Sequence, residues 1–84
     1  RIPKGRRKVY MRCYERIRML REDRGLSQTQ IALYLHINQK TYSDYELENI
    51  RIPVERLIML AEFYDVSLDY ITGASDEKKS FPRS

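Results

Sequence analysis

The run Asn38-Gln39-Lys40-Thr41-Tyr42-Ser43-Asp44 places amides, an ammonium, three hydroxyls and a carboxylate within about two helical turns. If Asn38 caps a helix here, Gln39 and Lys40 are its first exposed positions. Ser43 and Asp44 then follow one turn later on the same outward face. This order contains no nucleophile beside a base and no paired carboxylates. It is instead a set of donors and acceptors suited to the edges of nucleic-acid bases. Glutamine pairs bidentately with adenine, lysine donates to O6 and N7 of guanine, and a carboxylate accepts from N4 of cytosine. A carboxylate near phosphates costs affinity, so Asp44 is expected to reject other bases as much as to hold one. Thr41 has a hydroxyl for a phosphate or a neighbouring backbone group, and Asn49 and Arg51 lie just beyond the run, placed for backbone phosphates. The competing reading for each is an ordinary solvated residue, and it presses hardest on Asp44, Asn49 and Arg51.

Other chemistry finds little support. With 84 residues the chain is one small domain, and such a chain buries only about 60% of the surface its unfolded form exposes. The single cysteine, Cys13, excludes an internal disulfide. With the single histidine, His36, it leaves too few soft ligands for a structural zinc site. None of the three glycines sits in a phosphate-cradling loop. No enzyme, cofactor, metal or small-molecule substrate is therefore expected. No apolar run approaches the roughly 18 residues of a membrane span, and no secretory signal is visible, so the expected setting is cytoplasmic, without a membrane.

The net charge of +4 is unevenly spread. Arg1, Lys4, Arg6, Arg7 and Lys8 face no acid in the first ten residues, and without them the remainder is slightly acidic. Residues 54–73 set Arg56 against Glu55, Glu62, Asp65 and Asp69. Global charge is thus weak evidence for a polyanionic partner. The expected organisation is a basic leader over 1–11, a helical domain over 12–73, and a polar, frayed tail over 74–84. The leader is either a linker or a native arm whose Lys4, Arg6, Arg7 and Lys8 thread a minor groove.

The elements that must position the outward face are helices. Tyr14, Ile17 and Leu20 recur at helical spacing and end at Gly25, suited to a left-handed cap. Ser27 and Gln30 form a capping-box pattern opening Gln28–Leu35. Asn38 opens a third helix to Glu48, with Thr41, Tyr42 and Tyr45 inward. Pro53 takes the first position of a fourth, in which Val54, Leu57, Ile58, Ala61 and Tyr64 repeat at helical spacing. Ser67 caps a last short helix through Leu68 and Ile71 to Gly73. Two consecutive short helices joined by a three-residue turn outline a helix-turn-helix. Its demands are met in order: Ala32 where the helices touch, Leu35 and Ile37 around the turn, and His36 at the position of positive φ.

The stretch Arg16–Gly73 resembles the lambda repressor/Cro-type helix-turn-helix family. The resemblance rests on Leu26-Ser27-Gln28, Ile31-Ala32, Leu35-His36-Ile37-Asn38, Tyr45-Glu46 and Val66-Ser67-Leu68-Asp69-Tyr70-Ile71-Thr72-Gly73. It implies an all-α, five-helix bundle whose third helix enters the major groove of double-stranded DNA, usually as a homodimer on a palindromic operator. Carried over by position, it makes Gln28 the glutamine that bonds a phosphate and braces the next helix. It likewise makes Arg21 and Glu46 a structural pair fixing the recognition helix. The chain departs from the pattern at His36 and Glu48, where glycines are usual, and at Tyr42 and Tyr45, which are larger than the usual aliphatics.

The function so implied is sequence-specific regulation of transcription, with a bacterial or phage repressor as the type. The rival is a protein-interaction module of the same fold, such as an antitoxin or adaptor, favoured by the acidic C-terminal half. Ile58, Met59, Phe63 and Tyr70 exceed what one inward stripe requires and are the candidate dimer surface.

Overall fold

In the computed structural model, residues 12–82 are described. The basic leader over 1–11 lies outside them, and Arg12 stands at the threshold of the first helix. Five helices follow one another: α1 (Cys13–Asp23), α2 (Gln28–Leu35), α3 (Gln39–Glu46), α4 (Val54–Tyr64) and α5 (Leu68–Thr72). No strand occurs among the described residues, and no helix among them is long and apolar enough to cross a membrane.

Local capping explains most of the boundaries. The Ser27 hydroxyl accepts from the Gln30 amide at 3.1 Å, and the Ser27 amide donates to Gln30 Oε1 at 2.8 Å. Asn38 and Ser67 cap α3 and α5 by accepting from Thr41 N and Tyr70 N. The ends of α1, α2, α3 and α4 share one device, a residue of positive φ followed by an amide that reaches back into the helix. At His36 (φ 61°) the Ile37 amide returns to Ala32 O at 3.0 Å. At Glu48 (φ 60°) the Asn49 amide returns to Asp44 O at 2.9 Å. Gly25 and Asp65 close α1 and α4 in the same way.

The core gathers Ile17 and Leu20 of α1, Ile31, Ala32 and Leu35 of α2, and Tyr42 and Tyr45 of α3. These pack with Leu60, Ala61 and Tyr64 of α4, Val66, and Ile71 of α5, all at most 4% exposed. Packing α2 and α3 together over α1 leaves the N-terminal end of α3 outside the bundle, which is the placement the candidate site requires.

Several expectations change. Helix α3 ends at Glu46 rather than Glu48, because the left-handed Glu48 closes it, and Thr41 is half-buried rather than inward. Pro53 stands just before α4 in extended conformation (ψ 148°), so its ring precedes the helix instead of opening it. Val54 is 59% exposed, whereas Leu60, outside the anticipated stripe, is fully buried. Val54 is the first residue of its helix and projects beyond the layer that the next turns pack against.

The segment after Gly73 is not frayed over its described length. The Ser67 amide donates to Lys79 O at 2.8 Å, the Phe81 amide donates to Asp65 Oδ1 at 3.2 Å, and the Phe81 ring packs against the core. Asp76 Oδ1 accepts from Arg16 Nη2 at 3.0 Å. Arg16 is only 3% exposed, and its guanidinium lies 3.9 Å from the centre of the Tyr70 ring. A buried cation needs an anion and a polarisable surface, and α5 and the segment behind it supply both. Polar composition concealed this strap.

The same contact corrects the proposed dimer surface at one residue: Tyr70 is 8% exposed beneath Arg16 and belongs to the core. Phe63 is half-buried, its ring centre 4.7 Å from that of Tyr34 and 5.0 Å from that of Tyr64. Met59 also packs against the core, and Ile58 is half-buried. Among the described residues, the large apolar side chains most open to solvent are Leu33, Leu47, Ile50 and Val54.

Candidate nucleic-acid interface

The outward end of α3 is held from behind by a polar chain running through three helices. Arg21 of α1 grips Glu46 of α3 with two hydrogen bonds, Nε to Oε2 at 2.7 Å and Nη2 to Oε1 at 3.0 Å. Its remaining Nη1 donates to Leu26 O at 2.8 Å, tying the pair to the turn before α2. Gln28 Nε2, at the first position of α2, donates to Glu46 Oε1 at 3.1 Å. Gln39 Nε2, at the first position of α3, donates to Gln28 Oε1 at 2.6 Å. The Gln39 amide is therefore oriented through Gln28 and Glu46 by an arginine of another helix.

Electrostatics agree with this geometry. Burial works against the Glu46 carboxylate, but hydrogen bonds from Arg21 and Gln28 and the nearby Tyr42 hydroxyl outweigh it and hold its pKa below the ordinary value. Arg21 is shifted upward, chiefly by its hydrogen bond to Glu46. Both directions describe a pair that stays charged. Burial pushes the Tyr42 hydroxyl up, with Glu46 adding to the effect, so Tyr42 stays neutral.

A second cluster lies on the other side of α3. Lys40 Nζ stands 3.3 Å from Asp44 Oδ2 and 3.4 Å from Oδ1, and Asn49 Nδ2 donates to Asp44 Oδ1 at 3.1 Å. The Asp44 pKa is lowered, first by Asn49 and then by Lys40. Gln39 and Lys40 are exposed, as are Asn49 and Arg51, while Thr41, Ser43 and Asp44 are half-buried.

Of the residues named for DNA, the structure thus brings Gln28 to Gln39 and joins Lys40, Asp44 and Asn49. The reading from residue types did not foresee the link from Gln28 to Glu46 or the ties between Asp44, Lys40 and Asn49. The i,i+4 spacing of Lys40 and Asp44 was an available signal. Cys13, pushed up to about 11 by burial, is a packing residue. Among the described residues no cluster of three or more His, Cys, Asp or Glu stands ready for a metal.

A helix presenting oriented amides, an ammonium and a carboxylate, braced by a preceding helix through a buried ion pair, defines a DNA-binding helix-turn-helix. A family model described as Helix-turn-helix (HTH_3) matches residues 17–71. The chain is 40% identical over 63 residues to the HTH-type transcriptional regulator YobD of Bacillus subtilis, covering 75% of this chain and 56% of that protein. It is 31% identical over 70 residues to the HTH-type transcriptional regulator AnsR of the same organism, covering 83% of this chain and 60% of AnsR. A transcriptional regulator from Listeria innocua has a similar crystal structure, with a TM-score of 0.74 and 28% identity, over 82% of this chain and 64% of the other. The chain belongs to the helix-turn-helix family, and the relatives it matches are named as HTH-type transcriptional regulators. It spans a little over half the length of YobD.

Proposed function

We propose that the chain is the DNA-reading part of a cytoplasmic, repressor-type regulator that binds a palindromic operator as a homodimer. The observation that carries this reading is the oriented Gln39 amide, held by Gln28 at 2.6 Å on the exposed end of α3. Gln39, Lys40, Ser43 and Asp44 read bases, and Thr41 and Arg51 set the register on phosphates. Gln28 combines a phosphate contact with its bracing role. Repression follows from occupancy of the site. Two copies are needed because one such helix covers only a few base pairs, too little sequence to single out an operator in a genome. Ile58 and Met59 remain candidate contacts between copies, with Phe63 at their edge.

Selection of bound sequences from a random duplex library tests the reading, and the expected product is a two-fold symmetric site. Alanine at Gln39 or Lys40 should cost about 1–3 kcal/mol on that site and far less on unrelated DNA, measured by fluorescence anisotropy. Equal losses on both would assign these residues to phosphates and remove them from the reading set.

A second reading, a protein-interaction module, is favoured by one observation. A groove of about 620 Å³ lies between the start of α1 and the α3–α4 loop, lined by Tyr14, Tyr45, Ile50, Ile52 and Leu57 among others. A gel shift at low salt separates the two, since an interaction module retards no duplex.

A further inference from the structure

The Asp44 carboxylate is seated and the Lys40 ammonium is not. Asp44 accepts Asn49 Nδ2 at 3.1 Å on its side chain and the Asn49 amide at 2.9 Å on its carbonyl, so the loop after α3 fixes it twice. Its side chain is 18% exposed, whereas that of Lys40 is 81% exposed and reaches it only through the tip, at 3.3 Å. The result is a donor and an acceptor one helical turn apart, with the acceptor anchored to the scaffold and the donor on a flexible arm. The major-groove edge of a G·C pair shows the complementary pattern: guanine N7 and O6 accept and cytosine N4 donates. An A·T pair offers a different order, ending in a methyl group. A phosphate offers only acceptors, which satisfy the lysine but repel the carboxylate within a Debye length of about 8 Å at physiological salt.

Resting on the DNA-binding reading above, we propose that Lys40 and Asp44 act as one zwitterionic reading unit that selects a G·C pair and refuses bare phosphate, with Asn49 positioning its carboxylate. The unit offers little net charge to unspecific DNA, so Lys40 contributes little to counterion release there. On the matching pair, Lys40 turns to guanine and Asp44 accepts from cytosine. The carboxylate on the reading face is then a filter against wrong DNA. Asn49 acts through Asp44 rather than as an independent phosphate contact.

The test compares wild type, Asp44→Asn and Asp44→Ala by library selection, followed by affinities for the selected duplex and for a scrambled duplex over a salt series. Wild type should require a G·C pair at one position of each half-site, and replacing it by A·T should weaken binding by roughly five- to hundredfold. Asp44→Asn keeps an oxygen acceptor for Asn49 but loses the charge. It should lose the G·C requirement, bind scrambled DNA several-fold more tightly, and steepen the salt slope by about 0.9 as Lys40 gains a phosphate. Asp44→Ala should do the same and also shift the Asn49 side-chain amide resonances of the free protein, which Asp44→Asn should largely restore. An unchanged G·C requirement or unchanged scrambled-DNA binding in Asp44→Asn overturns the reading unit. Unmoved Asn49 resonances in Asp44→Ala overturn the positioning role. If wild type selects no sequence, the regulator reading fails and the reading unit fails with it. The Asn49 resonances then still report separately on the bracket.

Discussion

Replacing Glu46 by alanine would leave the Arg21 guanidinium, only 13% exposed, facing a void where a carboxylate accepted two of its hydrogen bonds. Removing one partner of a fully buried pair costs roughly 3–5 kcal/mol. Here, with Arg21 at the edge of the bundle, the expected loss is about 2–4 kcal/mol in urea denaturation at neutral pH. The same carboxylate makes stability depend on acid. Its folded pKa lies below its unfolded value, so its contribution is complete above the usual glutamate range and fades as pH falls through the depressed value. Wild type should therefore lose stability from about pH 4.5 downward, and Glu46→Gln should start lower and show a flatter acid limb. Glu48 gives an opposite case. It holds φ 60° where glycine pays no steric penalty, and its ion pair to Arg12 at 3.3 Å is exposed on both sides. Glu48→Gly should raise stability by up to about 1 kcal/mol, seen as a higher thermal midpoint. His36 occupies a similar conformation and was legible in advance because its slot recurs with the turn. The tie between Asp44 and Asn49 was not: position 48 stands out as a usual glycine slot, but which side chains the bend there brings together depends on the path of the loop, which spacing alone does not give.

Elements were legible where their ends are decided locally. Ser27 with Gln30, Asn38, Ser67 and Gly73 cap or close helices through atoms a few residues away, so sequence spacing suffices. Burial along α4 was less legible, because it depends on what the other helices present. Leu60 is fully buried, while Val54, on the anticipated stripe, projects into solvent. Phe63 shows the consequence most sharply. Read as surplus surface, it would tolerate a charge; packed between Tyr34 and Tyr64, it should not. Phe63→Glu is expected to cost about 2–3 kcal/mol by setting a carboxylate against two aromatic faces, detectable as a lower denaturation midpoint. An unchanged midpoint with a loss of self-association would return Phe63 to the contact between copies.

At the scale of the whole molecule, the described chain closes over itself beyond its last helix. Ending it after Ala74 removes Asp76 from buried Arg16, the Lys79 carbonyl from the Ser67 amide, and Phe81 from the core. The expected loss is about 2–4 kcal/mol, more than a polar tail would give, and calorimetry of the truncated and longer chains measures it. Asp76→Asn alone, in the longer chain, should reproduce part of that loss. This wrap also sets how the reading head can be transplanted. A chimera joining it to a foreign effector at Gly73, where helical pattern ends, would discard the Asp76 carboxylate that accepts from Arg16 and inherit a weakened fold that mimics a failed fusion. Joining it beyond Pro82 retains the described strap, so the portable unit is longer than its helices indicate.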